Sequence, residues 1–71
     1  MGFDLSCGVH VFAGGCMVEG HRGLLDYAPE RVRVRRRRGS VAIEGQSLAI
    51  VAVSRDEVWV RGVVHSVVWY E

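Results

Sequence analysis

Lysine is absent from this chain, proline occurs once, and the longest stretch without a formal charge, Leu5 to Val18, is 14 residues. Without lysine there is no glycine-rich phosphate loop of the Lys-Ser/Thr type. The charge-free stretch falls short of the roughly 20 residues that a membrane helix needs. The start, Met1-Gly2-Phe3-Asp4, has neither the basic region nor the separate apolar core of a secretory signal. Only two cysteines are present, too few for a disulfide scaffold, and without a signal they read as free thiols in a reducing compartment. No nucleophile elbow of the Gly-x-Ser-x-Gly type occurs, so a serine hydrolase of that design is excluded. The expectation is a cytoplasmic chain that is not an enzyme and carries no cofactor.

What is present points to strands. Seventy-one residues make one domain, which at this size buries about 60% of the surface of its unfolded form. Residues 1–71 are therefore read as a single unit. Hydrophobic residues are 49% and charged residues 24%, a globular balance. Fourteen valines tilt the chain toward β structure. Apolar residues alternate over short runs: Val32 and Val34 between Arg31, Arg33 and Arg35; Val41 and Ile43; Val58 and Val60 around Trp59. Pro29, Arg38-Gly39 and Ser54-Arg55-Asp56 interrupt the alternation, as turn formers do. The pattern predicts six or seven strands, near 9–12, 16–20, 23–27, 31–37, 40–45, 47–54 and 57–70, the last bent at Gly62.

An apolar-charged-glycine triplet recurs as Val18-Glu19-Gly20, Ile43-Glu44-Gly45 and Val60-Arg61-Gly62. The last two copies align at a spacing of 17, which also matches Val41 with Val58 and Ile50 with Val67. Glycine lets a strand crease without a side-chain clash. The expected fold is an all-β antiparallel roll or small sandwich with glycine-centred bends; a short β-solenoid is the alternative.

Three constellations carry chemistry. Six of the nine arginines fall at positions 31, 33, 35, 36, 37 and 38. Alternation places Arg31, Arg33, Arg35 and Arg37 on one strand face, with Arg36 and Arg38 at the turn. Such a comb suits either a solvated face offset by Glu19, Asp26, Glu30 or Glu44, or a grip on the phosphates of an anionic surface. With a net charge of +1 and few aromatics in the run, nucleic acid is not the expected partner. Trp59, outward if Val58 and Val60 face the core, is a candidate anchor for a partner or a second copy. Cys7, His10, Cys16 and His21 supply two thiols and two imidazoles, but their spacing matches no tight zinc knuckle, and no metal is expected.

The stretch Val18-Glu19-Gly20-His21-Arg22-Gly23-Leu24-Leu25-Asp26-Tyr27 resembles the opening motif of the YabP/YqfC family of sporulation proteins. The likeness continues through the strand at Arg31–Arg35, the Gly39 turn, Val41 to Ile50 with Gly45, and Glu57 to Gly62. The His21-Arg22-Gly23 triplet is closer to the YqfC branch, while the Arg35–Arg38 hairpin is more basic than the family pattern. The resemblance implies a non-enzymatic spore-assembly protein of the mother cell, peripheral to a membrane beside a partner of the YqfD type. His21, Arg22, Gly23, Gly45 and Gly62 are the family-motif positions.

Overall fold

The computed structural model describes residues 8–70. Six strands follow one another: β1 (Val9–Phe12), β2 (Gly15–Glu19), β3 (His21–Ala28), β4 (Arg31–Arg36), β5 (Gly39–Val53) and β6 (Glu57–Tyr70). All neighbours are antiparallel, in the order β1-β2-β6-β5-β4-β3. The solenoid alternative is thereby set aside, since stacked coils would pair their strands in parallel. The two strands expected at 40–45 and 47–54 are one, because the crease at Gly45 bends the β5–β6 ladder without ending it.

Strands β2 and β3 stand four places apart in this sheet, yet Gly20 alone joins them. Four inter-strand spacings are about 19 Å, far more than one residue spans. The sheet must therefore fold back on itself. It does so where the register of β5 and β6 slips, between Glu44 and Ala49 opposite Arg61 to Ser66. One half-sheet holds β1, β2, the first part of β6 and the last part of β5; the other holds β3, β4, the first part of β5 and the last part of β6.

The crease demands glycine for steric reasons. A Cβ on Gly45 would run into the Val63 carbonyl. Gly62 adopts φ +136°, and a Cβ there would lie 2.7 Å from the Ser47 oxygen. The hairpin turns pin both creases: the Gly62 N–H donates to the Gly14 carbonyl (2.9 Å), the Gly45 N–H to Glu30 (3.0 Å) and the Leu48 N–H to Pro29 (2.8 Å).

The core shows why the spacing of 17 exists. Cys16 and Val18 pair with Val60 and Val58 on one half-sheet; Val32 and Val34 pair with Ile43 and Val41 on the other. All eight are buried and, with Leu48, form one cluster between the halves. Val41/Val58, Ile43/Val60, Gly45/Gly62 and Ile50/Val67 are thus equivalent positions of an approximate two-fold repeat. Cys16/Val32 and Val18/Val34, at a spacing of 16, complete it. Val18-Glu19-Gly20 is not a third copy: Gly20 is the link between half-sheets, its N–H held by the Asp56 carbonyl at 2.7 Å.

Candidate interaction surfaces

The link is locked by His21. Its Nδ1 accepts the Gly23 N–H (3.1 Å), so Nε2 carries the proton and donates it to the Ser54 carbonyl (2.7 Å). Gly23, at φ +127°, turns the backbone at the register shift between His21 and Leu24. These residues tie the β2–β3 link to the β5–β6 turn beside a hollow of about 300 Å3 lined by Gly20, His21, Arg22, Arg55 and Asp56. Both imidazole nitrogens are committed to backbone, which leaves neither free to move a substrate's proton. Arg22 is exposed beside them. His21→Ala is expected to lower the unfolding free energy by about 1–2 kcal/mol in a denaturant titration, with His21→Gln recovering part of the loss.

The arginine run does not form one comb. Strand β4 ends at Arg36 and the turn is Arg37-Arg38, which corrects two positions. Arg37 sits in the turn and not on the outward face. Arg36 lies in the strand on the Val32/Val34 side, its guanidinium 5.2 Å from the Trp69 ring centroid. Arg33 pairs with Asp26 at 3.0 Å, and Arg31 stands opposite Glu44. Arg35, Arg37 and Arg38 are exposed. A second hollow, about 350 Å3, lies among Arg36, Arg37, Arg38, Ser40 and Trp69. The Nη1 of Arg36 is buried with no hydrogen-bond partner among the described residues. Nothing in the local sequence signals this cluster, because strand pairing brings Trp69 to it from more than 30 positions away.

Trp59 lies on the outward face of the other half-sheet, opposite Met17 and Ala52, with Phe12 at 5.9 Å between ring centroids. Phe12 is 46% and Trp59 37% exposed. Two carboxylates that face each other here, Glu19 and Glu57, are each drawn to a separate side-chain group. The Trp59 Nε1–H donates to Glu57 (3.0 Å), and His10 lies 3.3 Å from Glu19.

Four stretches of sheet edge are unpaired among the described residues, and three are blunted in ways that discourage further pairing. Strand β1 is four residues long and carries His10. Strand β3 has two register shifts and bears His21, Arg22 and Asp26. The far half of β5 is irregular at Ser47 (φ 55°), slips again between Ile50 and Ala52, and donates the Leu48 N–H to Pro29. The far half of β6 differs. From Ser66 to Tyr70 its register with β5 advances one residue at a time, without charge, proline or bulge.

The four zinc-competent residues do not converge among the described positions. Cys16 faces the core while His10 faces outward, because they sit on opposite sides of the β1–β2 ladder. His21 is bound to backbone. Cys7 lies outside the described residues. No group of three or more His, Cys, Asp or Glu among those residues is placed to hold a metal ion. No helix among them is long and apolar enough to cross a membrane.

Compared with curated proteins and with solved structures, the chain finds no match in either. The sequence profile of the YabP family matches residues 15–71, from the first residue of β2 through both creases. The chain belongs to the YabP family, a membership that suggests a sporulation-related role.

Proposed function

We propose that this protein is a non-enzymatic assembly component of sporulation that acts in the mother-cell cytoplasm, against a membrane, by accepting a strand from a membrane-associated partner. The carrying observation is the regular, uncharged β6 stretch from Ser66 to Tyr70, which among the described residues has a neighbour on one side only. An edge of this kind offers unpaired N–H and C=O groups to an added strand, and pockets beside alternate side chains supply selectivity. The outward Phe12–Trp59 patch adds an aromatic anchor of the kind enriched at interface centres. Engagement of both His21 nitrogens by backbone supports a structural part for the family motif. The YqfC-like His21-Arg22-Gly23 triplet points to a YqfD-type protein as that partner.

The test is Ser66→Lys, which places a charge at the start of this edge at an exposed position. Binding to the detergent-solubilised YqfD-type partner is expected to weaken at least roughly tenfold, about 1.4 kcal/mol, with thermal unfolding unchanged. His10→Lys, on the short β1 edge, is expected to bind as wild type does. Undiminished binding by Ser66→Lys, or an equal loss from His10→Lys, contradicts strand addition at β6.

A further inference from the structure

We propose that the end of the half-sheet where the β4–β5 turn meets the close of β6 docks directly on an anionic phospholipid bilayer, with Arg35, Arg37 and Arg38 on the headgroup phosphates and Trp69 and Tyr70 at the interface. This goes beyond the strand-addition site: it uses side chains at the tip of the sheet and requires no protein partner.

Strand register assembles the corner. Arg35 stands opposite Ser40 and Ser40 opposite Tyr70, while Arg36 faces Gly39 and Val41 faces Trp69. The arginines of one turn are thereby set against the two aromatics of a strand that ends alongside it. Trp69 is 49% and Tyr70 47% exposed, so both present an apolar body and a polar tip to the surroundings, as residues of membrane-interface belts do.

Charge is segregated to the same place. Arg33 and Arg31, farther along β4, have acidic neighbours in Asp26 and Glu44. Arg35 to Arg38 make no ion pair among the described residues. Four positive charges at one tip of a chain whose net charge is +1 make a strongly one-sided molecule. Each basic residue held at an anionic leaflet contributes about 1 kcal/mol.

The hollow of about 350 Å3 among Arg36, Arg37, Arg38, Ser40 and Trp69 combines guanidinium and hydroxyl donors with an aromatic wall. Arg36 stacks on that wall, and its buried Nη1 has no hydrogen-bond partner among the described residues. A nucleic-acid surface would instead interleave aromatics along a basic groove. Here Trp69 and Tyr70 lie on the two faces of one strand end, at the tip of the sheet and not along a groove, which favours a planar, anionic, partly apolar ligand surface.

The test uses the full chain with vesicles of phosphatidylcholine alone or mixed with phosphatidylglycerol. Wild-type protein is expected to sediment with the mixed vesicles only, and Arg37→Ser/Arg38→Ser is expected to weaken this by roughly 10- to 30-fold. In a Trp59→Phe background the emission of Trp69 is expected to shift to the blue on adding the mixed vesicles. Equal sedimentation with neutral vesicles, or undiminished binding by the double variant, overturns the proposal. So does an equal Trp69 response to inorganic phosphate or to an oligonucleotide at the same ionic strength. Ser66→Lys serves as the independent control. Lost partner binding with retained vesicle binding separates the β6 edge from the corner.

Discussion

Gly45→Ala is expected to destabilise the domain by at least about 3 kcal/mol, a large share of the roughly 5 kcal/mol a domain of this size holds. The added methyl meets the Val63 carbonyl, a backbone atom that cannot rotate away. Relief would require β5 and β6 to separate where the Gly45 N–H is bound to Glu30, loosening the crease that brings the half-sheets together. Gly14→Ala is the informative contrast. Gly14 has φ +89°, but a Cβ there meets nothing within 4 Å, so only the left-handed backbone cost of about 1–2 kcal/mol applies. Denaturant titration of both variants checks the order. Similar midpoints would mean that Gly45 is not a point of close backbone approach.

The second large effect is a loss of stability in alkali. Burial pushes the Cys16 thiol up from its ordinary 9.0 to about 11. Below pH 9 the thiol is protonated in both folded and unfolded chains, and its contribution is fully present. Between 9 and 11 the unfolded chain ionises first, so stability falls by about 1.4 kcal/mol per pH unit, close to 3 kcal/mol in all. Cys16→Val removes this term and retains an apolar side chain at a site whose repeat equivalent is Val32. The unfolding free energy of wild type relative to Cys16→Val should therefore decline by about 2–3 kcal/mol between about pH 8 and pH 11, other titrations being common to both. A constant difference would mean that the thiol is not sealed in the core.

Alternation made the strands legible because valine both favours extended backbone and lines one face of each ribbon. The spacing of 17 was legible too, since equivalent core positions on β5 and β6 need the same residue types and the same glycine. The break expected near position 46 was misplaced for a physical reason: a crease changes direction but leaves the ladder paired. Arg37 lies in the turn and Arg36 in the strand, on the Val32/Val34 side, because a two-residue turn at Arg37-Arg38 ends β4 one position early, and in a strand one position decides the face. The corner joining Arg35–Arg38 to Trp69 and Tyr70 had no local signal. It exists only once the β5–β6 register is fixed, and register is a long-range property. The β6 edge, one-sided among the described residues, was equally invisible, since whether a strand has a neighbour on both sides is set by sheet order and not by its own residues.

Amide hydrogen exchange of the chain, alone and with the YqfD-type partner, tests the central claim most directly. Strand addition at β6 predicts that amides between Ser66 and Tyr70 gain protection in the complex, while those of β1 and β3 exchange as before. New protection confined to β1 or β3, with β6 unchanged, would contradict it.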